Sequence, residues 1–176
     1  MKKLSELGVV ESEVMTRNVD TRIIKLRKFK EYDSKKVIDF TINGKNIKET
    51  VATEDPEAPK VATGLQEDFS LSEKIKYIQR LLGVVPPDLP SGRVALYMCP
   101  IDGDLLCDTV GCRIEFGKDT VTWSDFEWDV DAENDSAGEE GGESKVKGLT
   151  TYSFNRKDYE ALLNRLIEEY EAGIHR

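Results

Sequence analysis

A series of carboxylates spaced two residues apart is the part of this sequence best suited to do chemistry. The segment WSDFEWDVD, residues 123–131, combines aromatic residues with alternating acids, which is typical of a strand whose two faces differ. The acidic face of this strand would carry Asp125, Glu127, Asp129 and Asp131, and the apolar face Phe126, Trp128 and Val130. Such a row of carboxylates would attract a cationic protein surface.

The negative charge continues beyond the strand. Nine acids and no Lys or Arg stand between Asp125 and Glu143. A row of like charges costs stability through self-repulsion, and no basic segment is an obvious counterweight, which favours a docking surface over an idle one. The alternative, a solvated face followed by a solubilising loop, remains open. The predicted partner-binding residues are Trp123, Asp125, Glu127, Asp129, Asp131, Glu133 and Asp135, with Trp123 as an anchor if it is exposed.

Two metal sites are conceivable, but neither pattern is complete. Residues 129–140 place acids at the alternate positions of a calcium loop, yet Asn134 stands where glycine is normally required. Cys99, Cys107 and Cys112 offer three sulfurs, whereas structural zinc needs four ligands. Free cysteines are also commonly buried and inert. We therefore predict no metal and no cofactor.

Catalytic groups are scarce. His175 is the only histidine and stands second from the end of the sequence, so a Ser-His or Cys-His pair is not expected. The glycines of residues 138–142, GEEGG, lie among acids that would repel phosphate. We predict that the protein is not an enzyme.

Composition and charge narrow the choice of partner. The chain has 176 residues, 39% of them hydrophobic, and a formal net charge of −9, which suits a single folded domain over residues 1–176. Residues 1–50 hold 12 basic against 8 acidic residues, and residues 101–176 hold 8 against 19. An acidic C-terminal half disfavours direct binding to nucleic acid or to anionic membranes. With no visible export signal and no long apolar run, we expect a cytoplasmic protein.

The elements predicted around the acidic strand define an α+β fold, with an antiparallel sheet (a hairpin plus a meander) packed against two amphipathic helices. Asn43-Gly44 predicts a type I′ turn between strands VIDFTI and KNIKETV. Residues 22–29 fit either a strand or a helical stripe, and we favour a strand. Ser70 and Glu73 have the spacing of a capping box. The remaining predicted elements are strands at 93–98, 112–116, 120–130 and 145–154, a flexible acidic loop at 131–144, and a last helix that Asn155 opens.

Residues 92–128, GRVALYMCPIDGDLLCDTVGCRIEFGKDTVTWSDFEW, resemble a group of small bacterial proteins with the pattern G-R-V-x-L-Y-x-C-P-x-C-G-D-L-x-C and a D-T-V-x-W-x-D-F strand. Asp102 replaces the middle cysteine of that pattern.

By type, the chain is also similar to immunity proteins of bacterial contact-dependent growth inhibition and related polymorphic toxin systems. That resemblance implies a 1:1 complex with the C-terminal domain of a toxin, a cationic nuclease whose basic surface the immunity protein covers. A small cysteine- or zinc-dependent redox protein or enzyme, and an adaptor protein, are the alternatives.

Overall fold

The computed structural model describes residues 3–17, 32–101, 103–105, 108–129 and 145–175. The fold of these residues is α+β with antiparallel strands packed against helices, as predicted, but the strands form two sheets instead of one and there are three helices instead of two. The strands are β1 Leu7–Arg17, β2 Tyr32–Ile42, β3 Lys45–Asn46, β4 Val94–Tyr97, β5 Thr109–Phe116, β6 Thr120–Asp129 and β7 Tyr152–Asn155. The helices are α1 Ile47–Glu54, α2 Leu71–Leu81 and α3 Arg156–Glu171. Among these residues, none of the helices has the length and apolar character needed to cross a bilayer.

The first sheet has the order β1-β2-β3 and contains the predicted hairpin. Asn43 and Gly44 both have positive φ, 52° and 78°, as a type I′ turn requires. The second strand of this hairpin, β3, is much shorter than predicted, because Asn46 ends it and caps α1. The Asn46 side chain accepts hydrogen bonds from the backbone N–H groups of Lys48 and Glu49, so the chain turns into a helix.

Strand β1 was not predicted. Its sequence, LGVVESEVMTR, pairs with β2 along its whole length, from Leu7 opposite Ile42 to Arg17 opposite Tyr32. The strand predicted at 22–29 lies outside the described residues.

Helices α2 and α3 confirm the two helices that the sequence predicts. At α2, Ser70 accepts a hydrogen bond from the backbone N–H of Glu73 while the Glu73 carboxylate accepts one from the backbone N–H of Ser70, so the capping box is complete. Gly83, with φ 70°, follows that helix at its end. At α3, the Asn155 side chain accepts from the backbone N–H of Asp158.

The second sheet is the predicted antiparallel meander, with the order β4-β5-β6-β7. Its last strand is shorter than expected, because only Tyr152–Asn155 pair continuously with β6, and Lys145 forms an isolated bridge with Glu127. The acidic loop predicted at 131–144 lies outside the described residues.

Isolated bridges connect the two sheets in two places. On one side, the segment 62–66 pairs with both sheets, because Gln66 pairs with Val37 of β2 and Ala62 pairs with Met98 just after β4. On the other side, Ser5 pairs with Phe154 in β7. One hydrophobic cluster draws residues from both sheets and from all three helices, including Phe40, Val51, Ile78, Trp123 and Leu163. The core therefore lies between the sheets and the helices, and the polar face of β6 lies outside it.

Candidate functional site

A β-bulge in β6 decides which of its side chains face the core. Gly111 of β5 lies opposite Glu127, and Arg113 lies opposite Ser124, so two residues of β6 oppose one of β5 between these pairs. Asp125 is one of the two and has a φ of 54°, a left-handed conformation that Asp tolerates better than most residues. The bulge reverses the alternation along the strand.

Trp123 lies before the bulge and is completely buried. Its indole N–H donates to the Tyr159 hydroxyl at 3.1 Å, and that hydroxyl donates to the Leu81 carbonyl at 2.7 Å. The rings of Phe40, Phe154 and Tyr159 surround the indole at centroid distances of 5.4 to 6.1 Å. The prediction that Trp123 could anchor a partner is therefore wrong, because the side chain is part of the core.

Asp125 in the bulge and Glu127 after it lie on the outer side, as predicted, but two arginines bind them. Arg93 donates to Asp125 at 2.8 Å and lies 2.9 Å from the Glu127 carboxylate, and its Nε donates to the Asp125 carbonyl at 3.1 Å. Arg113 donates to the same Asp125 oxygen at 2.9 Å. We call Arg93, Arg113, Asp125 and Glu127 the arginine–carboxylate cluster. Its existence corrects the expectation that no basic group neutralises the acids.

The cluster is held at the edge of the core. The Arg93 side chain is only 11% exposed, whereas those of Asp125 and Glu127 are 33% and 22% exposed. Partial burial raises the pKa of the Asp125 carboxyl, but the hydrogen bonds and charges of Arg113 and Arg93 outweigh that effect, so the net pKa is lowered. Asp125 therefore remains ionised at neutral pH.

Asp129 joins the same surface through a serine. The Ser91 hydroxyl donates to the Asp129 carboxylate at 3.1 Å. Gly111 makes room for this carboxylate, because a Cβ at that position would lie 2.6 Å from it and 2.8 Å from Leu89. Asp131, Glu133 and Asp135, the other predicted binding residues, lie outside the described residues.

The cysteines do not assemble a metal site within the described residues, where no group of three His, Cys, Asp or Glu side chains could hold an ion. Cys99 and Cys112 are buried. Burial is the main cause that raises the pKa of the Cys112 thiol, and the Asp88 charge adds to it while Arg93 opposes it. Cys107 and Asp102 lie outside the described residues.

Sequence reasoning missed a second polar cluster, buried between the first sheet and α1. The Asp39 carboxylate is fully buried and lies 2.6 Å from the Lys48 ammonium. It also accepts hydrogen bonds from the Ser12 hydroxyl and, at 3.3 Å, from the Asn46 amide. Lys48 donates to Ser12 at 3.1 Å.

The role of this buried cluster is to stabilise the fold. An ammonium that is paired with a carboxylate has no free electron pair with which to activate Ser12 as a nucleophile. The cluster instead fastens α1 to β1 and β2. The one signal in the sequence was a charged residue, Asp39, in the middle of the apolar run VIDFTI.

Comparison of the chain with protein-family models, with curated proteins and with solved structures finds no match.

Proposed function

We propose that this chain binds a cationic protein through the outer end of β6 and the acidic residues that follow it. The observation that carries the proposal is the geometry of the arginine–carboxylate cluster: Arg93 and Arg113 hold Asp125 and Glu127 at fixed positions on a sheet. They leave an excess of negative charge. From Asp125 to Glu143 the sequence has nine acids, against two guanidinium groups in the cluster.

Fixed carboxylates suit recognition. Side chains that are already ordered lose little conformational entropy on binding, so more of the electrostatic attraction contributes to affinity. A surplus of one sign of charge also steers an oppositely charged partner and raises the association rate at low salt. Both effects favour a partner that presents clustered Lys and Arg.

The specific role that we propose is that of an immunity protein. A nuclease toxin needs a basic surface to hold its polyanionic substrate, and a rigid acidic surface can occupy that position in place of phosphates. The expected complex is 1:1, in the cytoplasm, between this chain and the C-terminal nuclease domain of its toxin.

The test begins with affinity capture from the native host at low and at high salt. A captured protein is then purified, and its nuclease activity is measured as this chain is added. The expected result is capture that is lost at high salt and complete inhibition at one equivalent. A captured protein without nuclease activity would favour the adaptor alternative, and capture that is independent of salt would refute the electrostatic mechanism.

The variants should leave the arginine–carboxylate cluster intact. Asp131→Asn, Glu133→Gln and Asp135→Asn together remove three charges from the acidic segment. The matched control removes three exposed acids elsewhere, by Glu57→Gln and by two substitutions near the end of α3, Glu168→Gln and Glu171→Gln. We expect the first triple variant to lower the association rate at least several-fold more than the control. Equal effects would show that net charge alone matters and that Asp131, Glu133 and Asp135 are not part of the contact.

A further inference from the structure

Among the residues that the structure describes, no strand pairs with the outer edge of β1. On one side, β1 pairs with β2 over all eleven of its residues. On the other side, the described residues show backbone pairing just before β1 begins, where the backbone N–H of Ser5 donates to the Ser153 carbonyl at 2.7 Å. An open edge presents backbone donors and acceptors that another strand can bind.

The register shows which backbone groups face outward. The Asn43 N–H donates to the Glu6 carbonyl at 2.8 Å, so the even-numbered residues of β1 direct their backbone groups towards β2. The outward N–H of Ser5 agrees with this parity. The odd residues from Leu7 to Met15 therefore present N–H and C=O groups to the outer edge. Within the described part of the chain, none of them has a backbone partner on that side.

The side chains along this edge are distinctive. Glu11 and Glu13 lie two residues apart and so share one face of the strand, and the Glu11 side chain is 75% exposed, with His175 3.8 Å away. Val10 and Met15 are 39% and 51% exposed. The edge thus combines two carboxylates on one face with accessible apolar side chains.

These charges disfavour a second copy of the chain as the occupant. Antiparallel pairing of two β1 strands over their full length would be centred on Ser12, and would place Glu11 of each copy opposite Glu13 of the other. Like charges directly opposite each other destabilise a strand pair. A strand with cations at the same two positions would instead form two favourable pairs.

We propose that the outer edge of β1 is a β-augmentation site for an extended segment of a partner protein that carries Lys or Arg at alternate positions, opposite Glu11 and Glu13. Backbone hydrogen bonds would supply affinity, and the two carboxylates would select the sequence. The residue between the two cations would point to the other face, that of Val10 and Val14.

A groove beside the strand is suited to that intervening side chain. It has a volume of about 340 Å³. Apolar residues that line it include Val14, Met15, Val51, Ala58 and Val61. We therefore expect an aliphatic residue between the two cations. This inference does not rest on the acidic end of β6, because it uses different residues and a different strand.

The test uses synthetic peptides and the whole isotope-labelled chain. The blocked peptide TVKVKVT has lysines at alternate positions. The control TVKKVVT has the same composition with adjacent lysines, which point to opposite faces, and TVEVEVT reverses the charge. Nuclear magnetic resonance titration reports the affinity of each peptide. We expect TVKVKVT to shift and protect the amides of Val9, Glu11 and Glu13, and to bind about tenfold more tightly than TVEVEVT.

Two pairs of variants keep the inference testable if one variant fails to fold. Glu11→Lys with Glu13→Lys should reverse the preference, so that TVEVEVT binds about tenfold more tightly than TVKVKVT. Glu13→Pro removes one outward donor without breaking the β1–β2 ladder, and Glu13→Gln loses the same charge but keeps that donor. We expect the proline variant to bind more weakly than the glutamine variant.

Three results would overturn the proposal. Peptide-induced shifts centred on Asp125 and Glu127, with none along β1, would show ordinary charge attraction. Equal affinity for TVKVKVT and TVKKVVT would remove the requirement for alternate cations. A dimer that forms through β1 without peptide, seen by sedimentation, would assign the edge to a second copy.

Discussion

The buried cluster of Asp39, Lys48, Ser12 and Asn46 permits a quantitative prediction. Lys48→Met keeps most of the volume of the side chain and removes its charge, which leaves the Asp39 carboxylate without its ion-pair partner. Breaking a buried ion pair by removing one partner costs about 3–5 kcal/mol. We expect about 3 kcal/mol, because Asn46 and Ser12 still donate to the carboxylate and the Lys48 side chain is 19% exposed.

The assay is equilibrium unfolding in urea, followed by tryptophan fluorescence. A loss of about 3 kcal/mol is a large part of the roughly 5–15 kcal/mol stability of a typical domain. Lys147→Met is the matched control, because Lys147 is 58% exposed and lies 3.7 Å from Asp55. Its loss should cost no more than about 1 kcal/mol.

A double variant separates the ion pair from the packing of the methylene chain. Asp39→Asn in the Lys48→Met background removes the uncompensated charge and should recover part of the lost stability. If Lys48→Met costs no more than Lys147→Met, or if Asp39→Asn gives no recovery, the description of Asp39 as a buried charge that depends on Lys48 is wrong.

Three further predictions test the core and the β6 surface. Trp123→Ala should lower the free energy of unfolding by about 3–5 kcal/mol, measured by urea unfolding followed by circular dichroism, whereas a loss below about 1 kcal/mol would contradict its burial. Burial raises the pKa of Asp125, but the hydrogen bonds from Arg113 and Arg93 outweigh it, so the pKa is lower in the folded state than in the unfolded state. The ionised Asp125 therefore stabilises the fold above the unfolded pKa of about 3.9, and this stabilisation is lost as the pH falls towards the folded pKa. Asp125→Asn should make the free energy of unfolding depend less steeply on pH in the acid range, and an unchanged pH dependence would contradict the lowered pKa. Because burial raises the pKa of the Cys112 thiol, peptide mapping after iodoacetamide treatment should find Cys112 unlabelled until urea unfolds the chain, and rapid native labelling would contradict the structure.

Local signals predicted most of the elements. The Ser70–Glu73 capping box, the Asn43-Gly44 turn and the Asn155 cap each act within a few residues, so their spacing in the sequence is sufficient to place them. Strand β1 was not predicted, because the sequence VVESEV lacks turn residues and shows only a short alternation of apolar and polar residues. Its partner, β2, supplies the pairing that makes it a strand.

The candidate binding surface could be predicted only in part from local sequence patterns. The row of acids in residues 125–131 could be read from the sequence, and so could the acidic run to Glu143. The alternation alone could not reveal the bulge at Asp125, because a bulge depends on the register between β5 and β6. That register buries Trp123.

By itself, the sequence determined the α+β class, the meander, the helices α2 and α3, and the acidic character of β6. The tertiary structure alone decided that Arg93, 32 residues away along the chain, binds Asp125, and that Lys48 lies beside a buried Asp39. The physical reason is the separation along the chain between the groups that interact. Caps and turns are hydrogen-bonded between near neighbours in the chain, whereas burial, charge pairing and open strand edges depend on which distant segments the fold brings together.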